Sequence, residues 1–160
     1  MGNRELNEPA LAIADGGLGF WAALPEVLSQ TKEQLCWLHK TRNVLNKLPK
    51  SELEEAVQRL RAIHLAEDKA KAERLAKKLI KEWNEVETTN NTTKCLELAL
   101  ERLLIFYEFP TEHAKHLRTT NPIESVFATI RLRTKPMKRF RTINCGVHLV
   151  FKLMKRAKTV

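Results

Sequence analysis

Apolar and polar positions change their period along the chain, and the changes mark out its elements. ALAIAD (10–15) is a short apolar run closed by Asp15 and then Gly16-Gly17, which predicts a buried strand ending in a turn. LGFWAALPEVL (18–28) spaces Phe20, Ala23, Leu24, Val27 and Leu28 as a helix does, with Pro25 expected in its first turns or at a kink. EQLCWLHK (33–40) is short, apolar and bounded by polar residues, so it is read as a second strand. From Thr41 to about Phe109 the periodicity is helical almost throughout, with strong helix formers and no glycine.

Local start and stop chemistry divides that helical stretch. Ser51 with Glu54 three residues on has the form of a capping box at the head of SELEEAVQRLRAIHLAE. Asp68 is expected to cap KAKAERLAKKLIKEWNEVE. TTNNTT (88–93) reads as a polar break, and KCLELALERLLIFYEF as one further amphipathic helix. In TTNPIES, Asn121 suits an N-cap, Pro122 the first helical position and Glu124 the third. There, Glu124 can accept from the cap backbone and complement the helix dipole, a structural role of about 1 kcal/mol. The class is therefore α/β and predominantly helical.

Charge changes the picture at the C-terminal end. Residues 118–160 hold 11 Lys and Arg against one acid, Glu124, while the preceding 117 residues hold 17 basic and 18 acidic side chains. The whole net charge of +9 thus comes from the last 43 residues, a placement that suits contact with a polyanion. Arg131, Arg133, Lys135, Lys138, Arg139 and Arg141 lie just beyond Glu124, where phosphate contact with little base specificity is the natural role. No run of 18 apolar residues is present, so no membrane partner is expected, and MGNRELNEP has no apolar core for a secretory signal. Three widely spaced cysteines suit reduced thiols and a cytoplasmic protein, nucleoid-associated when bound to DNA. Cys36 and His39 offer only two zinc ligands with no second pair, so they are read as packing or orienting groups. Trp21, Trp37 and Trp83 are expected in the core, and His64, His113, His116 and His148 show no partner pattern.

Three blocks in order carry a resemblance: DGGLGFWAAL (15–24), CWLHK (36–40) with NVLNKLP (43–49), and HLRTTNPIESVFATIRLRT (116–134). Together they resemble the mutator-type DDE transposases of bacterial insertion sequences, from about residue 10 to the end. The resemblance implies an RNase H-like sheet interrupted by an all-α insertion domain. It also implies carboxylates that hold two Mg²⁺ (or Mn²⁺) ions for phosphodiester cleavage and strand transfer. On that footing Asp15 matches the second aspartate of the family, Glu124 its glutamate, and Cys36 with His39 its Cys-x2-His signature. The two carboxylates would then approach within roughly 8 Å, since ions about 4 Å apart must be bridged. Arg118 and Asn121 join the basic residues as expected DNA contacts, with insertion-sequence ends and target as the DNA. Self-association, or association with full-length transposase, is a further expected partnership.

The sequence also departs from the pattern. Asp15 and Asp68 are its only aspartates, and Glu5 and Glu8 lie in a polar leader with no strand periodicity. The first aspartate of the family therefore has no counterpart, nor do its first strands or its N-terminal DNA-binding region. The expectation is a transposase fragment without strand-transfer activity of its own: residues 1–40 a partial RNase H-like core with two strands, 41–117 a helical insertion domain, and 118–160 the Glu124 helix with basic C-terminal helices. The alternative is a non-catalytic DNA-binding or subunit-interaction fragment acting with full-length transposase.

Overall fold

The computed structural model describes residues 7–86 and 89–157, so Glu5 and Thr88 among the residues read above lie outside the description. The chain divides into two compact units, Met1–Thr120 and Asn121–Val160.

The first unit opens with a β-α-β hand. Strand β1 (Leu11–Ala14) is followed by helix α1 (Leu18–Val27) and strand β2 (Lys32–Leu35). The strands pair in parallel with Leu11 opposite Lys32 and Ala14 opposite Leu35. The ladder runs on at both ends, where Lys32 N–H donates to the Ala10 carbonyl (3.1 Å) and Cys36 N–H to that of Ala14 (2.9 Å). A parallel pair needs a crossover, and the apolar face of α1, with Trp21 and Leu24 buried, supplies it. Pro25 falls in the last turn of α1 rather than its first, and the helix stops two residues later. Glu8, which carries no strand pattern, anchors the return: its Oε1 accepts from the backbone N–H groups of Gln30 and Thr31.

β2 ends earlier than its apolar pattern predicts. The strand stops at Leu35, and Trp37 opens helix α2 (Trp37–Leu45), so CWLHK is a strand-to-helix junction and not a strand. A short apolar run fits either state, and burial of both Trp37 and Val44, seven residues apart, selects the helical period. The Ser51 capping box is also absent. Ser51 lies inside a 3₁₀ turn (Lys50–Glu52) that follows Pro49, and helix α3 (Leu53–His64) starts beyond it without a side-chain cap. Helix α4 (Lys69–Asn84) begins as expected, with Asp68 Oδ1 accepting from Lys71 N–H at 2.6 Å.

TTNNTT is no break. Helix α5 (Asn90–Glu97) takes in four of its residues, and Thr89, Thr92 and Thr93 are buried. Each hydroxyl donates to a backbone carbonyl: Thr89 to Trp83 and to Val86 (2.8 Å), Thr93 to Thr89 (3.1 Å) and Thr92 to Lys47 (3.4 Å). Satisfied in this way, threonine is buried at little cost.

The single helix expected over 94–109 is broken instead into α5, α6 (Leu100–Leu103) and a 3₁₀ turn (Ile105–Glu108). At the second of these breaks, after Leu103, the buried side chain of Gln34 intervenes. Its amide nitrogen donates to Leu103 carbonyl (3.0 Å) while its Oε1 accepts from Phe106 N–H (2.8 Å). Trp37 Nε1 donates to the same Leu103 carbonyl at 2.8 Å. Side chains of β2 and α2 thus take the groups a continuous helix would pair within itself.

One core runs through this unit, from Trp21, Leu35 and Trp37 to Leu60, Leu79, Trp83, Leu96 and Phe106. All three tryptophans belong to it. The unit closes with a short helix α7 (Ala114–Leu117).

The second unit contains helix α8 (Asn121–Thr134), a 3₁₀ turn (Lys135–Met137) and helix α9 (Ile143–Ala157). Helix α8 includes Asn121 itself, with Glu124 in its first turn, so both sit one position deeper than the cap reading placed them. Thr142 caps α9, its Oγ1 accepting from Cys145 N–H at 3.2 Å. Among the described residues no helix is long and apolar enough to cross a membrane.

Candidate functional site

Asp15 stands where β1 gives way to α1. The strand delivers it there, and Gly16-Gly17 turns the chain so that the helix starts at Leu18. Its Oδ1 accepts from Gly17 N–H at 3.0 Å, and its carbonyl accepts from the Trp21 indole at 2.7 Å. The carboxylate is exposed, and it keeps its second oxygen while the first closes the turn. A carboxylate in this place, at the C-terminal end of a parallel strand and the N-terminal end of a helix, is positioned by backbone on both sides.

The neighbouring strand end carries the Cys-x2-His residues. Cys36 is 1% exposed, and its Sγ accepts from Thr120 N–H at 3.3 Å and lies 3.4 Å from Thr120 Oγ1. Next to it, Trp37 N–H donates to the Arg118 carbonyl at 2.9 Å. Residues 118–120, which lead directly into the helix bearing Glu124, are therefore tied to the end of β2 by consecutive bonds. Thr120 is a member of this arrangement that the sequence alone did not single out; the unexplained buried cysteine was its signal. His39 lies half-buried on α2. The guanidinium of Arg118 sits over the Phe106 ring, 4.9 Å from its centre.

The second unit carries Glu124 and the remaining predicted residues. Asn121 and Glu124 are exposed at the head of α8. Arg131, Lys135, Lys138 and Arg139 line one surface cleft together with Thr134 and Phe140. Arg133 and Arg141 are exposed and do not line it. No carboxylate lines the cleft, so its four cations are not neutralised within it. Phe140 is the residue there that charge reasoning missed, since an apolar side chain gives no signal in a basic run.

The donor set bears on metal binding. Among the described residues no group of three or more His, Cys, Asp or Glu could hold a metal ion. Asp15 belongs to the first unit and Glu124 to the second. A pair of divalent ions needs several hard oxygen ligands, and among the described residues no group of three stands together to supply them.

Comparison with known proteins shows what the chain as a whole is similar to. Residues 1–159 match the family model described as Transposase, Mutator family. The transposase for insertion sequence element IS6120 of Mycolicibacterium smegmatis is 45% identical, over 96% of this chain and 47% of its own length. That for insertion sequence element IST2 of Acidithiobacillus ferrooxidans is 41% identical, over 94% of this chain and 50% of its own. The chain thus spans about half the length of these curated relatives. With the match running from one end of the sequence to the other, the chain belongs to the mutator family of transposases.

Proposed function

We propose that this chain serves in DNA transposition as part of an insertion-sequence transposase, acting on DNA in the cytoplasm. The family match over residues 1–159 carries the reading. The basic unit beyond Thr120 supports it, because a cleft lined by four cations and no acid suits a phosphodiester backbone. In this reading the β-α-β hand is a piece of an RNase H-like sheet, and α2–α7 are the helical insertion. Asp15 and Glu124 are the carboxylates this chain offers to Mg²⁺ or Mn²⁺, with the remaining ligands supplied from outside it.

A second reading is favoured by the lack of a three-donor group among the described residues: a non-catalytic DNA-binding or subunit-interaction role beside full-length transposase. Both readings expect the purified chain alone to be inactive in strand cleavage, and they separate when the rest of a transposase is present. The test is a gel-based nicking assay on insertion-sequence ends with Mn²⁺. It compares wild type with Glu124→Gln, each alone and each joined to the portion that the longer relatives possess. Activity only in the joined protein, lost with Glu124→Gln, is the result the first reading expects. Joined protein that remains inactive supports the second. Nicking by the isolated chain that vanishes in Glu124→Gln would overturn the incomplete-site argument.

A further inference from the structure

The cleft on the second unit is built around an unusual turn. Lys138 has φ 54° and ψ −45°, the only non-glycine residue with positive φ among those described. Across it, Arg139 N–H donates to the Met137 carbonyl at 2.5 Å, closing a three-residue γ-turn in its rare, strained form. Such backbone is strained and persists only where its surroundings impose it. Here the surroundings are visible. The turn follows directly on α8 through Pro136, and Lys138 N–H donates to the Lys135 carbonyl at 3.4 Å. The Phe140 ring then lies against Gly146 of α9, where an added Cβ would meet three ring carbons at 3.0–3.4 Å. Glycine at 146 is what lets the ring approach.

The consequence is a cleft with two kinds of wall. Arg131 comes from α8, Lys135 from the 3₁₀ turn that follows it, and Lys138 and Arg139 from the γ-turn. Phe140 supplies an aromatic surface that is still 39% exposed although one side of the ring rests on Gly146. Cations alone would suit any phosphate. A flat aromatic wall beside them adds a partner for something flat and apolar attached to that phosphate.

We propose that this cleft seats one unpaired nucleotide of a single DNA strand, its phosphate among Arg131, Lys135, Lys138 and Arg139 and its base stacked on Phe140. The inference rests on the DNA reading above and refines it. In a duplex the base faces are covered by their neighbours, so Phe140 has no face to stack on while the cations keep their phosphate contacts. Base–aromatic stacking is indifferent to sequence, and the seat therefore distinguishes strandedness rather than sequence.

The test uses the full chain and fluorescently labelled oligo-dT, with a duplex of the same length alongside, each titrated over a series of salt concentrations. Phe140→Leu is expected to weaken single-strand binding about tenfold, leave duplex binding unchanged, and leave both salt slopes unchanged. Phe140→Tyr should retain wild-type behaviour. Because Phe140→Leu could disturb the packing on Gly146, a second measurement needs no variant. Single-stranded DNA carrying 5-iodouracil is irradiated on the wild-type chain, and the crosslinked peptide is identified by mass spectrometry. Crosslinking at Phe140 from the single strand and not from the duplex is the expected result. Equal loss of single-strand and duplex binding in Phe140→Leu, no loss in either, or no crosslink at Phe140 overturns the seat while the DNA reading stands. Wild type that binds neither form overturns both.

Discussion

The thiol of Cys36 accepts a hydrogen bond from the backbone of Thr120, 84 residues later in the chain, at 3.3 Å. Sulfur is a weak acceptor, and here it belongs to a buried side chain while Thr120 is half-buried. With the Trp37 to Arg118 bond beside it, the contact fixes the segment from which α8 departs. Cys36→Ala should leave the Thr120 N–H without that acceptor and open a small void, costing about 1–3 kcal/mol. The sharper readout is amide hydrogen exchange, which should accelerate at Thr120 more than at core sites such as Leu60. Equal protection at Thr120 in both proteins would mean that the thiol only fills space.

Asp15 has a structural role that a cautious experiment must separate from any chemical one. Its Oδ1 closes the turn to Gly17, and an asparagine oxygen can accept the same bond. Asp15→Asn should therefore leave unfolding free energy within about 0.5 kcal/mol of wild type, while Asp15→Ala should lose about 1 kcal/mol. In a complete transposase carrying this segment, both variants should abolish strand cleavage, since an amide is a poor ligand for a hard cation. Denaturant titration and the nicking assay on the same pair make the comparison. Cleavage retained by Asp15→Asn would remove Asp15 from the chemistry.

How much of this was legible in the sequence depended on distance along the chain. Strand β1, helix α1 and the Asp68 cap follow from neighbours within a few residues, and they appear where the pattern puts them, whereas the apolar run 33–40 is strand only as far as Leu35. The break after Leu103 was hidden because Gln34 lies 69 residues away from the carbonyl it takes. Thr89, Thr92 and Thr93 read as loop because a hydroxyl satisfied by a carbonyl looks the same in sequence as one satisfied by water. In the candidate site the charge run was plain. The cleft was not, since KPMKRF contains no Gly or Asn to announce positive φ at Lys138.

DNA affinity should be weak, tolerant of sequence and steeply dependent on salt. Each phosphate neutralised releases condensed counterions, so the slope counts contacts, at about 0.9 per phosphate for duplex DNA. Replacing Arg131, Arg133, Lys135 and Arg139 together should flatten the slope by about two to four units. Arg133 does not line the cleft, so restoring it alone reports whether contact extends beyond those walls. An unchanged slope in the quadruple variant would place the DNA surface elsewhere.

His64 should make stability depend on pH in a narrow window. Its ring lies half-buried against Trp37, with centroids 5.3 Å apart, and its Nδ1 donates to the Leu60 carbonyl at 3.2 Å. Burial holds its pKa below the ordinary value of 6.5, opposed in part by the Leu60 bond, with Arg118 and Arg61 adding repulsion. A depressed pKa means that the unfolded chain takes up the proton first. The stability contributed by neutral His64 is therefore fully present above about pH 6.5 and is lost as pH falls toward the folded value, at no more than about 1.4 kcal/mol per pH unit. Glu82, held low by Arg59, and Glu108, held low by Lys32 and Lys69, lose their contributions only in more acid solution, below their ordinary 4.5. Between about pH 6.5 and pH 5, then, His64 is the titration that should dominate this loss among those groups. General repulsion within a chain of net charge +9 also grows with acid, but it acts on any variant alike. Urea denaturation of wild type and His64→Gln at about pH 7 and about pH 5 isolates the difference. Wild type should lose more stability between the two conditions than His64→Gln does, whatever their relative stability at neutral pH. Parallel losses in the two proteins would mean that His64 protonates as easily in the folded chain as in the unfolded one, and the burial argument would fail.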